Sequence, residues 1–186
     1  GWRVAGMGRR VVLVDVHLGG ANLHTCLGVP RPTLTLGDFI QRRVERIEDV
    51  AVETHQSGLR LISGASDLGA ANINYAQKTR ILNRIRALDV DIVLIDLGAG
   101  TSLNILDFFL LADQGILTVV PEPTSIENGY PFIKSALFRR LRRAAGTPTV
   151  REIVDTAFDQ KNPLGIKSPL DLLAAVERED AAEAET

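Results

Sequence analysis

Short unbroken runs of branched apolar residues alternate along the chain with longer stretches in which apolar residues recur every three or four positions. The unbroken runs are Val11-Val12-Leu13-Val14, Ile92-Val93-Leu94-Ile95 and Gly115-Ile116-Leu117-Thr118-Val119-Val120. A strand that is apolar at consecutive positions must be covered on both faces, so each run predicts a buried strand of a parallel sheet. Residues 49–54 and 58–63 are two further β-like runs around His55-Gln56-Ser57-Gly58, the second closed by Gly64. Tyr75, Ile81, Leu82, Ile85 and Leu88 recur at helical spacing and predict a helix over 74–89 with one apolar stripe. Residues 102–111, 124–144, 149–158 and 168–177 read as helices, and most of them have a polar residue placed to cap the first turn. A short helical turn is expected over 21–27, and Thr35 is placed to cap a helix through Phe39 and Ile40. Gly8 marks the left-handed end of a helix before the first strand. Strands alternating with helices specify an α/β layered fold, and neither a repeat nor a linker divides it.

Composition narrows the class. The chain has 186 residues, 45% hydrophobic and 24% charged, enough for one domain with a core. One cysteine excludes an internal disulfide framework, and three scattered histidines offer no zinc-like spacing; Cys26 reads as a small packed residue. No apolar run approaches the ~20 residues of a membrane span, and a cytoplasmic setting is the expectation. A net charge of -2 gives no general attraction to nucleic acid, and no specific nucleic-acid contact is predicted. Arg139, Arg140, Arg142 and Arg143 crowd the end of one helix. Cations suit that end of the helix dipole, so a solvated terminus and contact with lipid head groups or an acidic partner both fit them. Residues 177–186 form an acidic, Ala-rich tail expected to be frayed or helical only in part.

Chemistry concentrates where two of the apolar runs end. Each closes on a carboxylate and enters a glycine loop: Asp15-Val16-His17-Leu18-Gly19-Gly20 and Asp96-Leu97-Gly98-Ala99-Gly100. Open parallel sheets bind ligands at the carboxyl ends of their strands, which aims both carboxylates at one rim. Glycines there let backbone N–H groups approach an anion closely, because no Cβ intervenes. A strand end followed by an ordinary turn explains either segment alone, whereas the pair points to magnesium and phosphate.

The two segments, together with Asp15 to Gly28, Asp96 to Asn104 and Pro121 to Asn128, resemble the MinD/ParA group of P-loop NTPases, and within it the flagellar-number regulators. The resemblance covers roughly residues 5–175 and implies a three-layer fold of the deviant Walker A (SIMIBI) type with a mostly parallel sheet. It implies ATP and Mg2+ as cofactors of the full-length parent, with weak or no binding by this chain, and an ATP-dependent homodimer that switches in placement or number control of flagella or another structure. It also implies protein partners of such a system and leaves peripheral membrane contact open. Asp96 matches the Walker B aspartate that holds magnesium, and Gly98 and Gly100 match the glycines that sense the γ-phosphate. Asp15 matches the first aspartate of the switch I pair, near the magnesium shell. The second, which positions the attacking water, is replaced by His17. An imidazole beside phosphates should protonate and lose its acceptor lone pair, so hydrolysis by this route should be weak or absent; a plain surface-loop residue, or a substitution found only in this sequence, also fits His17. Glu122, in Pro121-Glu122-Pro123, matches a loop near the ribose, although a ligand-free strand-to-helix turn fits it equally. Phe108, Phe109, Leu110 and Leu111 read as core, on a surface that is a dimer interface in the group.

A Walker A loop is missing. Gly165-Ile166-Lys167-Ser168 is the nearest string, and it reads as a turn and helix start. The expectation is therefore an incomplete domain over 1–176, an internal piece of a longer polypeptide cut at both ends. A non-hydrolysing scaffold that has lost its catalytic residues is the alternative. In the group the phosphate-loop strand lies between the strands placed here at 92–96 and 115–120. Without it those strands should show a gap or an abnormal closure, and the isolated piece should be poorly folded.

Overall fold

The computed structural model describes residues 1–17, 20–64, 73–157, 163–166 and 168–184. Leu18, Gly19, Phe158 and Lys167 lie outside the described residues. The chain divides into two compact units, Gly1–Ala99 and Gly100–Thr186. No boundary was legible in the sequence, because no linker composition marks residue 99.

The first unit is built on a four-stranded sheet of order β2-β3-β1-β4, with β1 Val11–Asp15, β2 Ala51–Glu53, β3 Leu59–Ile62 and β4 Ile92–Asp96. β1 runs parallel to both β3 and β4, and β2 closes an antiparallel hairpin onto β3. Val11 and Val12 point to opposite faces of the sheet and both are buried, as two covered faces require. On one face Ala5 of α1 (Trp2–Gly6) packs with Val11 and Leu59, flanked by Leu13, Ile92 and Leu94. Gly8 follows α1 at φ +83°, the left-handed cap that the sequence predicts.

Polar groups set the register of β1 on β4. The Arg10 backbone N–H donates to Asp91 Oδ2 at 2.8 Å, and its guanidinium donates to the Asp89 carbonyl at 3.0 Å. That N–H, with the guanidinium, holds the Asp91 carboxyl below its ordinary value. From this clamp the ladder counts upward, Val11 opposite Ile92, and ends with Asp15 opposite Asp96.

Among the described residues three further α-helices, α2 Leu23–Cys26, α3 Leu36–Ile40 and α4 Tyr75–Arg86, and a 3-10 turn over Ile47–Val50 belong to the unit. Thr35 caps α3 in a reciprocal box with Asp38, and Asn74 caps α4 in the same way with Gln77. Ile81 and Ile85 are buried as the stripe on α4 requires, whereas Tyr75 at its first turn is 79% exposed. Cys26 is exposed rather than packed, since α2 is a single turn that buries none of its residues.

In the second unit α5 Leu103–Phe109, α6 Pro123–Ala144, α7 Pro148–Ala157 and α8 Pro169–Ala184 follow one another. Phe138, Val154, Ala157, Ile166 and Leu172 form the core. Gly165 turns at φ +65° and Ser168 caps α8 by accepting from the Asp171 N–H, so this string is a turn and helix start. α8 continues to Ala184, further than the frayed tail expected, as suits its Ala and Glu content. The start of α6 also differs from expectation. Glu122 occupies the cap position without a side-chain bond, Pro123 supplies the preset first-turn φ, and the Ser125 hydroxyl instead accepts from the Val120 N–H.

Residues 115–120 are not a strand. A would-be methyl on Gly129 of α6 would lie 3.4 Å from Val119 Cγ2 and 3.9 Å from Leu117 Cδ2, so one side of the run rests on α6. Ile116 is 82% exposed, and no ladder partner exists among the described residues. β4 is likewise the edge of its sheet and only half-buried, where burial on both faces was expected. Both deviations have one cause: an apolar run becomes a buried strand only when neighbours take up its backbone bonds.

The basic end of α6 is largely engaged. Asp107 of α5, 1% exposed, accepts from Arg139 at 2.5 and 2.8 Å and also from Arg143, while Arg142 pairs with Asp155 at 2.9 Å. Two of the four arginines thus close an internal clamp rather than form a solvated end or a lipid-facing patch. Phe108 beside Asp107 is core, as the sequence implies.

Candidate functional site

Parallel register brings the two strand-terminal aspartates side by side at the carboxyl ends of adjacent strands. The Val16 N–H donates to the Asp96 carbonyl at 3.0 Å and carries the ladder one step past the strands before the chains diverge. A crevice at this rim is where an open α/β sheet takes its ligand.

The two carboxylates are not equivalent. Asp15 is fully buried, and both its oxygens serve its own loop: Oδ1 accepts from the His17 N–H at 3.0 Å and Oδ2 from the Leu23 N–H at 3.1 Å. It ties the loop down and satisfies the first turn of α2, where N–H groups lack helical partners. Gly64 fits beneath that loop, where a methyl group would stand 2.8 Å from the Asp15 carbonyl oxygen and 2.9 Å from Ala21 Cβ. Asp96 is exposed, and its carboxylate accepts no hydrogen bond among the described residues. Packing around the strand end and the neighbouring Asp15 charge push its carboxyl above the ordinary value, and His17 works against them. A cation beside Asp96 would relieve both effects.

This donor set fits magnesium in one form only. Among the described residues no three carboxylate, histidine or cysteine side chains converge to cage a metal. Magnesium is commonly held by one or two carboxylates, with waters and phosphate oxygens completing its shell. Asp96 offers such a carboxylate.

His17 lies within the rim, against glycines of both loops. A methyl group on Gly98 would stand 2.9 Å from His17 Cδ2, and one on Gly20 would stand 2.8 Å from Cε1. Gly98 therefore belongs to the same cluster as Asp15, His17 and Asp96. Gly100 opens the second unit at φ +104°, a conformation that favours glycine, with nothing within 4 Å of a would-be Cβ. Glu122 is exposed, its N–H bonded to the Val120 carbonyl at 2.7 Å. Asn22 precedes α2 at its cap position without a side-chain cap bond.

Sequence reasoning assigned Asp107 no role, and placed Gly20 in a glycine loop and Gly64 at a strand end without their close contacts. A polar residue inside the apolar run Ile105-Leu106-Asp107-Phe108 was a signal for Asp107, as was the spacing of Arg139 and Arg143 on one helix face. The close contacts of Gly20 and Gly64 had no such signal, because close approach between loops depends on tertiary packing.

No protein-family model matches the sequence. Over 136 residues it is 33% identical to the antiactivator FleN of Pseudomonas aeruginosa, a match covering 70% of this chain and 47% of FleN. Over 165 residues it is 28% identical to an ATP-binding protein of Methanocaldococcus jannaschii, covering 89% of this chain and 60% of that protein. The fold matches that of the septum site-determining protein MinD from Pyrococcus horikoshii, solved with Mg-ADP, with a TM-score of 0.62 and 23% identity. That match covers 81% of this chain and 67% of the other. The chain spans roughly half of the length of the curated relatives it matches.

Proposed function

Because the chain belongs to the MinD/ParA family of P-loop ATPases, we propose that it is the switch-bearing part of a longer ATP-dependent switch, acting in the placement or number control of flagella or another cellular structure. The observation that carries this reading is the register pair Asp15 and Asp96 at one rim, with Gly98 beside it. Bound magnesium would supply charge neutralisation for a triphosphate. Asp96 would hold that cation through a water, Asp15 would fix the loop between β1 and α2, and Gly98 would offer its N–H to the terminal phosphate.

The phosphate cradle and its strand would come from elsewhere in the longer polypeptide. The edge of β4 and the run 115–120, both without a further strand partner among the described residues, support that, as does the partial coverage of the relatives. ATP would hold two copies face to face, and its preference for the paired state would supply the switching free energy. Flagellar or positioning proteins would read that state. Membrane contact is no part of the proposal, since three of the four clustered arginines are engaged by Asp107 and Asp155.

A second reading, a scaffold that binds partners without hydrolysis, is supported by the His17 ring packed against Gly20 and Gly98, at the position where the family resemblance would put an acidic residue to orient the attacking water. Binding of ATP with magnesium to the whole polypeptide, compared with its Asp96→Ala variant, tests the first reading. The variant should lose about tenfold or more in magnesium-dependent affinity, the scale on which groups around a bound metal act. Equal affinities would remove Asp96 from the site. Single-turnover hydrolysis by the same protein separates the readings, because the scaffold binds without turnover.

A further inference from the structure

We infer that His17 is a positioning residue, a latch whose imidazole holds the loop after β1 against the loop after β4 and covers the approach to Gly98. The ring meets glycine on both sides. Its Cε1 and Nε2 atoms are 2.8 and 2.9 Å from a would-be Cβ on Gly20, and its Cδ2 and Cγ atoms are 2.9 and 3.3 Å from one on Gly98. Any larger residue at either position would have to displace the ring, so the glycines form a slot that the imidazole occupies.

Among the described residues the ring makes no hydrogen bond of its own and is aimed by the backbone. Asp15 Oδ1 accepts from the His17 N–H and Asp15 Oδ2 from the Leu23 N–H, while the Gly20 N–H donates to the His17 carbonyl at 3.1 Å. These bonds tie His17, Gly20 and Leu23 together at the end of β1. Asp15 therefore acts on Gly98 through His17, and the buried carboxylate and the surface ring form one device.

A consequence follows for any anion that Gly98 is to receive. Backbone N–H groups capture a phosphate only where its oxygens can come close, and the imidazole lies against that glycine on the side a Cβ would take. The ring must leave before the loop is accessible, so the latch lowers apparent affinity by the fraction of molecules in which it is closed. This last step rests on the phosphate reading proposed above. The latch itself does not.

Amide hydrogen exchange of residues 97–99 in the ligand-free whole polypeptide tests the latch without any nucleotide. His17→Ala should raise exchange there at least about threefold, while His17→Phe, which restores a flat ring, should return it toward the original rate. Gly98→Ala should perturb the loop after β1 in the native background and have little effect when combined with His17→Ala, since the clash partner is gone. Unchanged exchange in His17→Ala, or additive effects in the pair, would overturn the latch.

Adding ATP and magnesium tests the coverage of Gly98. With the latch shown by exchange, His17→Ala should bind severalfold more tightly than the native protein. Equal affinity of the two proteins would overturn the coverage claim. Binding absent from both would refute the phosphate reading and leave the latch standing, so the two failures are distinguishable.

Discussion

Ile92-Val93-Leu94-Ile95 and Ile116-Leu117-Thr118-Val119-Val120 carry nearly the same local signal, yet the first is a strand and the second is not. The first has β1 beside it, the Arg10 and Asp91 clamp to fix its start, and a ladder that runs to Asp96. The second has helix α6 on one side and no strand neighbour among the described residues. β-propensity describes fitness for a pleated, half-buried surface and does not create one. Two similar apolar runs thus reach different outcomes in the two units.

Truncating one leucine in each unit, buried in the first and exposed in the second, turns this contrast into numbers. Leu61 is fully buried in β3, so Leu61→Ala should cost about 3 to 4 kcal/mol by loss of transfer energy and the cavity left behind. Leu117 is 38% exposed in the unpaired run, and Leu117→Ala should cost under ~1 kcal/mol in this chain. Urea unfolding of the two variants checks both. In a longer polypeptide that supplies a strand, the Leu117 cost should climb toward the Leu61 value. If it stays small there, the run is a genuine loop.

The second unit depends on a polar contact for part of its order. Asp107 is almost wholly buried while its partners Arg139 and Arg143 reach solvent, with side chains 21% and 48% exposed. Removing the carboxylate leaves cations that can partly hydrate, so Asp107→Ala should cost on the order of 3 kcal/mol, the low end for a broken buried pair. Thermal unfolding followed at Trp2, in the first unit, and by far-ultraviolet circular dichroism, dominated by the helices of the second, would show whether the loss stays local. A loss below about 1 kcal/mol would make the clamp no more than a surface ion pair.

Legibility followed the range of the interaction. Val11 to Asp15, the hairpin around His55 to Gly58, the stripe of Ile81 and Ile85, and the Thr35 cap are set by residues a few positions apart, and the sequence places each of them. The rim shared by Asp15 and Asp96 was legible from two matching strand ends and a parallel sheet. Different outcomes at Cys26, at Tyr75 and at 115–120 arose because burial there depends on what the rest of the fold brings alongside. The inward role of Asp15 was hidden for the same reason, since Leu23 reaches its carboxylate only once the loop has folded back.

Asp96 gives the smallest effect, and its sign discriminates between a ligand site and an ordinary strand end. Its folded-state carboxyl lies above the ordinary value of 3.8, raised by burial and by the Asp15 charge. Below 3.8 the group is protonated in folded and unfolded chains alike and costs nothing. As pH rises the unfolded chain ionises first, so folding loses stability until the folded group has ionised as well, and the loss persists to neutrality. Asp96→Asn cannot ionise, so without magnesium it should be more stable than the native protein near neutral pH and no more stable in acid. Partial exposure screens the charge and keeps the gain small. Denaturant titrations on both sides of that pH range check the sign. Magnesium with ATP should then reverse the order of the two proteins, since only the native carboxylate gains from the cation. If the native protein proves the more stable at neutral pH without ligand, Asp96 has a structural partner, and the case for a free carboxylate at the rim fails.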